Sequence, residues 1–310
     1  MPIDTGYDEQ QRAFADAVRE LARRRAPEWA SGDAFPEETW RDLARIGLFA
    51  LAVDGVDAAV ETAAVCEALG GAGCPGPLWE TVTAVRAAGP DLAAALAAAD
   101  QVATVVAGGL APWGGRADAF FALSAAGLAE CAPPAPGGGP VTMIGGGRWT
   151  RVRPEPVRTV DPARGAVPLG EVALAAYLCG AAGRLLADAA AYAASRHQFR
   201  RPIGDFQAVA FALAEADVAV AAARNLVRRA AYRLATGCPG ADRDTRAAVL
   251  SAARAARTTT HHTFQAYGAM AFTEENGTAR LGRRIAVLLT QALAAHRRDA
   301  CLADLTEATR

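Results

Sequence analysis

The chain has 310 residues, a formal net charge of −1 and a hydrophobic fraction of 52%, while aromatic residues make up only 6%. That length can bury a sizeable core, and apolar content dominated by Ala favours helices packed through small side chains over a sheet-dominated core. The near-neutral charge gives no bulk attraction for nucleic acid or an anionic membrane surface. Because all 32 basic residues are Arg, Schiff-base chemistry and a P-loop lysine are both excluded.

The opening "MPIDTGYDEQQRAF" is polar and acidic, without the basic start and apolar core of a leader peptide. Residues 8–26 place Phe14, Val18 and Leu21 at helical spacing with charges on the other faces, which predicts an amphipathic surface helix. In "FPEETWRDLARIGLFAL", Pro36 and two glutamates mark a first turn, Trp40, Leu43 and Ile46 share a face, and Gly47 marks the stop. Further helices are expected over "DAAVETAAVCEALGGAG", from Leu78 to Ala88 and from Asp91 to Ala99.

From about residue 101 the pattern changes. "QVATVVAGG", "AFFALSA" and "PVTMIGGGRWTRV" are short apolar or β-branched runs separated by Gly and Pro, which predicts strands and tight turns over 101–165, with "CAPPAPGGGP" as a loop. After Pro168 four long helical segments follow, at about 169–196, 206–236, 241–268 and 276–304, and their short connections describe an antiparallel four-helix bundle. The expected fold is therefore mostly α, with an N-terminal helical domain (1–100), a small middle β domain (101–165) and a C-terminal bundle (166–310). No internal repeat is visible. The run "LGEVALAAYLCGAAGRLLADAAAYAA" is interrupted by Glu171, Arg184 and Asp188 and reads as too polar for a membrane span. Six scattered cysteines without CxxC pairs predict reduced thiols, a cytoplasmic location and no structural metal.

Several candidate sites fall away on spacing. His261 and His262 are adjacent on a helix and diverge by about 100°, so they do not share a metal. Ser195 lacks a nucleophile elbow, and "GGGRWT" has neither the spacing nor the following helix of a dinucleotide fingerprint. The stretch "SRHQFRRPIGDFQ" at 195–207 is different. Arg196, His197, Arg200 and Arg201 suit a helix C-terminus electrostatically. The planar donors of Arg196 and Gln198 beside Phe199 equally suit a phosphate and a ring.

"SRHQFRRPIGDFQAVAFALAEAD" resembles the acyl-CoA dehydrogenase signature R-x-[QT]-F-G-x-x-I-x-x-F-Q followed by L-A-[DE], matching at Arg196, Gln198, Phe199, Pro202, Ile203, Phe206, Gln207, Leu213 and Ala214. "QAYGAMAFTEENG" is similar to the family's Q-x-x-G-G-x-G-[YF]-x-x-[ED], matching at Gln265, Gly268, Phe272 and Glu275. The opening helices also resemble the family's. The resemblance implies a site that straddles two subunits, in which Arg196 meets the pyrophosphate of a neighbour's FAD, Gln198 and Phe199 lie beside it, and Gln207, Gln265 and Gly268 line the rest. It implies an oligomer with a homologous subunit and an acyl-CoA or carrier-protein thioester as substrate.

The departures are equally informative. The family's T-E-P-x-[AS]-G-S-D and W-I-T-N-G stretches, which hold the flavin ring, have no counterpart beyond "QVATVVAGGLAPWGG" and "GGGRWTRV". Where the usual catalytic glutamate belongs, Gln291 and Ala292 cannot abstract a proton. Arg200 and Ala269 replace glycines of the family pattern. Some members place the base on the first bundle helix, and Glu171 lies within about one residue of that position; an acidic residue there also simply complements a helix dipole. Three readings stand: a subunit that helps hold FAD for α,β-dehydrogenation, a cofactor-free member using the old acyl pocket for cyclisation or dehydration, and a structural partner.

Overall fold

In the computed structural model, residues 6–29, 34–134, 139–144, 147–273 and 277–293 are described. The chain is mostly helical. Helix α1 (Glu9–Arg25) starts at a capping box, in which the Asp8 side chain accepts from the Gln11 amide and the Gln11 side chain accepts from the Asp8 amide. Then come α2 (Glu37–Arg45), the short α3 (Ala50–Asp54), α4 (Ala59–Ala72), α5 (Leu78–Ala87) and α6 (Pro90–Ala97). Gly47, with φ of 86°, ends α2 as expected, but the "FAL" that follows does not remain irregular and starts α3 instead. In α6, Pro90 occupies the first turn, where its missing N–H costs nothing.

The β region holds a four-stranded sheet in the order β1 (Ala103–Val106), β3 (Ala119–Ser124), β4 (Gly127–Cys131), β7 (Pro156–Thr159). A three-stranded sheet has the order β2 (Leu110–Ala111), β6 (Arg148–Arg151), β5 (Pro140–Thr142). β1 and β3 run parallel, in register Val105 to Phe121. Strand alternation sorts the side chains: Phe121 and Val105 enter the main core, whereas Phe120 and Val106 enter a small separate cluster with Ala111, Cys131 and Val152. Strands β4 and β7 lack the apolar runs that signal strands. β7 is exposed along its whole length at a sheet edge, where Pro156 is tolerated. The ends of "CAPPAPGGGP" belong to strands, Cys131 to β4 and Pro140 to β5.

Four helices complete the chain: α7 (Ala166–Ser195), α8 (Gln207–Ala235), α9 (Ala241–Tyr267) and α10 (Gly277–Ala292). The expected end of the last helix, at about 304, lies outside the described residues. One continuous core runs from α1, α4 and α5 through α7 into α8, α9 and α10. α7 is long and apolar enough to cross a membrane by length and composition, so the polarity of Glu171, Arg184 and Asp188 is not what distinguishes it; most of its apolar stretch is buried as the central helix of the fold.

Small side chains make that centre. A Cβ on Gly70 of α4 would sit 2.0 Å from the Tyr177 carbonyl oxygen of α7, and one on Gly180 of α7 would sit 1.9 Å from the Glu67 carbonyl oxygen. The two backbones approach as closely as glycine permits. Glu67 then ties three elements together: it accepts from the Tyr7 hydroxyl at 3.0 Å and pairs with Arg224 of α8 at 2.7 Å, while Arg228 lies over the Tyr7 ring.

Candidate functional site

α7 ends where the Arg196 amide donates to the Tyr192 carbonyl and the chain turns extended. β8 (His197–Gln198) and β9 (Arg201–Pro202) pair antiparallel around a two-residue turn. Both turn residues, Phe199 at φ 51° and Arg200 at φ 68°, adopt the left-handed conformation that a two-residue hairpin of this hand demands and that glycine accepts without cost. The hairpin presents Phe199 almost fully to solvent, at 89% exposure. Its ring meets the edge of Phe206, and the Arg201 guanidinium lies 4.0 Å above the Phe206 ring. Arg196 and Gln198 are exposed on the same turn, with the Gln198 amide donating to the His197 carbonyl at 2.8 Å.

Bundle topology gathers the remaining signature residues here. α8 starts where α7 ends, and α9 runs back antiparallel to α8, so the C-terminal end of α9 returns to the hairpin. Tyr192 of α7 and Tyr267 of α9 stack at 4.2 Å, fixing these two ends together. Gln207 at the start of α8 and Gln265 near the end of α9 are both exposed. Gly268 ends α9 with φ of 58°, and nothing lies within 4 Å of where a Cβ would stand. Among the described residues, the side chains of Arg196, Gln207 and Gln265 have no hydrogen-bond or ion-pair partner. The result is one exposed surface of planar donors and one aromatic ring. Glu275 of the second motif lies outside the described residues.

Glu171 stands elsewhere. It belongs to the first turns of α7, 25 positions before Arg196, which at about 1.5 Å per residue places it about 37 Å away along the same helix. It is buried, accepts from the Thr245 hydroxyl of α9 at 2.8 Å, and lines a cleft of about 230 Å³ with Leu128, Val160, Pro168, Asp242 and Arg246. Thr245 was invisible to sequence reasoning, because nothing local announces a partner 74 positions away.

Where the resemblance puts the family's usual glutamate, Gln291 is buried and bonded on both sides of its amide. The Trp79 indole N–H donates to its Oε1 at 3.1 Å, and its Nε2 donates to Glu80 Oε1 at 3.0 Å. Ala292 beside it is fully buried. The two histidines serve no common site: His261 is exposed, and His262 faces Glu215 at 3.6 Å. Cys66, Cys74, Cys131 and Cys179 are buried free thiols and Cys238 is half-buried, while Cys301 lies outside the described residues.

Comparison with known proteins matches residues 8–109 to the acyl-CoA dehydrogenase N-terminal domain and residues 163–290 to the acyl-CoA dehydrogenase C-terminal domain. The acyl-CoA dehydrogenase IpdE2 of Mycobacterium tuberculosis is 36% identical over 148 residues, covering 42% of this chain and 44% of that protein. The short-chain specific acyl-CoA dehydrogenase of Megasphaera elsdenii is 33% identical over 140 residues, covering 45% and 32%. The matched segments thus span less than half of either relative. Among solved structures, the ChsE4–ChsE5 complex of Mycobacterium tuberculosis superposes with a TM-score of 0.80 at 24% identity, covering 98% of this chain and 99% of that one, a likeness of fold. With both terminal domain models matched and the signature residues gathered at one end of the bundle, the chain belongs to the acyl-CoA dehydrogenase family.

Proposed function

We propose that this chain is an acyl-CoA dehydrogenase-like subunit of an oligomer, and that its hairpin helps hold the diphosphate of an FAD lying against a neighbouring homologous subunit. The observation that carries the reading is the outward, unpartnered donor surface of Arg196, Gln207 and Gln265, with Gln198 and Phe199 on the same turn. A guanidinium fork and carboxamide N–H groups are the donor chemistry a diphosphate needs. The open space over Gly268 lets a ligand approach the backbone. Bound FAD supplies the hydride acceptor for α,β-dehydrogenation of an acyl thioester.

Oligomer formation is supported by apolar side chains left in water on this half of the molecule. Phe199, Phe211, Val218 and Phe272 are each at least two-thirds exposed, a pattern of surfaces that become covered. The ring-holding motifs are absent from the middle of the chain, and Gln291 has its amide tied to Trp79 and Glu80. The flavin ring and the usual base therefore belong to the partner. In this chain's own cleft, Glu171 is the carboxylate placed to hold or move a proton, oriented by the Thr245 hydroxyl.

A second reading, non-redox acid–base chemistry without FAD, is favoured by one observation: Glu171, Asp242 and Arg246 converge on a cleft otherwise lined largely by apolar side chains. The visible spectrum separates the two. The chain purified with a co-expressed dehydrogenase-like partner is expected to carry FAD, and Arg196→Ala is expected to weaken retention by about 10- to 100-fold, as loss of a charge-assisted contact implies. Unchanged FAD content in the Arg196→Ala complex refutes the pyrophosphate role. A colourless complex that still turns over an acyl substrate establishes the second reading.

A further inference from the structure

Away from Gln265, a long surface cleft is lined by α1, α4, α7 and α10, with Arg224 of α8 at one end and Tyr267 of α9 at the other. Its two adjoining hollows, of about 440 and 550 Å³, share Ala26, Gly71, Ala72 and Arg184 as walls. Tyr267, two positions after Gln265 and so turned to the opposite side of the helix, donates its hydroxyl to the Asp188 carbonyl oxygen and closes the second hollow.

Arginines dominate the walls, and most are neutralised within the chain. Arg19 pairs with Asp16, Arg23 with Glu20, Arg184 with Asp188 at 2.8 Å and Arg224 with Glu67 at 2.7 Å. The second hollow differs. Arg280 is exposed and has no ion-pair or hydrogen-bond partner among the described residues. Arg284, one turn further along α10, is half-buried and held without any carboxylate: its Nε donates to the Tyr177 hydroxyl at 2.6 Å and its Nη2 to the Gly76 carbonyl at 3.0 Å. Its Nη1 has no partner among the described residues. Residues four apart stand on one helix face, so both arginines border the same space, which Ser195 also lines.

We propose that this end of the cleft binds a small phosphorylated anion, with the phosphate between Arg280 and Arg284. Among the described residues the two guanidiniums face no carboxylate of their own, one is prepositioned by a buried tyrosine and a carbonyl, and the one acid lining that hollow, Asp188, is already paired with Arg184. A hollow of about 550 Å³ is of the size that takes a small ligand.

Calorimetric titration of the full chain with pyrophosphate, ADP and adenosine at low and at raised NaCl tests this. Pyrophosphate and ADP are expected to bind, more weakly at high salt, and adenosine not to bind. In the Arg196→Ala chain, where the hairpin's own diphosphate contact is gone, pyrophosphate is still expected to bind; in that background Arg280→Ala is expected to weaken it at least fivefold and Arg280→Glu to abolish it. Because Arg280 is exposed, both its variants are expected to fold, and circular dichroism confirms it. No pyrophosphate binding to the wild-type chain, affinity unaltered by Arg280→Glu in the Arg196→Ala background, or adenosine binding as tightly as ADP overturns the proposal. Loss of binding only in Arg196→Ala overturns it too, placing the phosphate on the hairpin instead.

Discussion

The indole of Trp79 on α5 donates to the side-chain oxygen of Gln291 on α10, joining residues 212 positions apart in a fully buried hydrogen bond. The same carboxamide donates to Glu80. Gln291 is thus a structural bridge between α5 and α10. Gln291→Ala removes one hydrogen bond from each neighbour in a buried setting and is expected to destabilise the chain by about 1–3 kcal/mol. Urea unfolding of the two proteins measures it; equal midpoints would mean that the bridge contributes nothing.

The α4–α7 crossing predicts a severe response to a single methyl group. Gly180→Ala and Gly70→Ala each drive a Cβ into a carbonyl oxygen of the facing helix, at 1.9 and 2.0 Å. Neither backbone can yield without moving the core, so each is expected to cost about 3 kcal/mol or more, at the upper end of overpacking penalties. Gly139→Ala, with open space around its Cβ and no positive φ, is the control and stays within about 0.5 kcal/mol. Thermal melts of the three variants decide the matter.

Arg200 occupies the second position of the hairpin turn at φ 68°, where a side chain is disfavoured. Arg200→Gly is expected to stabilise the hairpin by about 1 kcal/mol, relief of the left-handed penalty exceeding the added flexibility of the unfolded chain. The Ile203 amide, which donates to the Arg196 carbonyl across the hairpin, reports it directly through slower hydrogen exchange. Faster exchange would show that the turn is not strained.

Alkaline pH is expected to unfold this protein through its buried acids. Burial pushes the thiols of Cys66, Cys74 and Cys179 up from 9.0 to about 12, and burial likewise pushes the Tyr177 phenol up to about 12. Between pH 9 and 12 the unfolded chain releases these protons while the folded chain keeps them, so stability is full below about pH 9 and falls as pH rises. Each thiol contributes a loss of about 1.4 kcal/mol per pH unit in that window. Denaturation midpoints measured from pH 8 to pH 10.5 test the slope, and Cys179→Ala is expected to make it shallower by about one proton's worth. An unaltered slope would mean that Cys179 does not stay protonated in the fold.

Much of this was legible in the residues themselves. Helix positions followed from 3.6-residue periodicity and from local devices such as Pro36 with its two following glutamates and the stop at Gly47, since such signals act over a few residues. The hairpin between α7 and α8 was legible for the same reason: Arg196, Gln198 and Phe199 sit within one short motif. β4 and β7 were not, because an edge strand with little buried apolar surface owes its place to a neighbour's hydrogen bonds and leaves no pattern of its own.

The sequence by itself determined the order of helices and strands, the family resemblance and the donor-rich turn, all of which depend on residues near one another in the chain. Tertiary structure decided what those residues meet. It set Glu171 and Arg196 at opposite ends of one helix, Glu171 against Thr245 and Arg196 in open solvent. It tied Gln291 between Trp79 and Glu80, and among the described residues it left Arg280 and Arg284 without a carboxylate while pairing Arg184 with Asp188 and Arg224 with Glu67. Whether a charge is neutralised, or a carboxylate buried, depends on which distant segments the core brings together, and packing across 70 to 210 positions leaves no local trace.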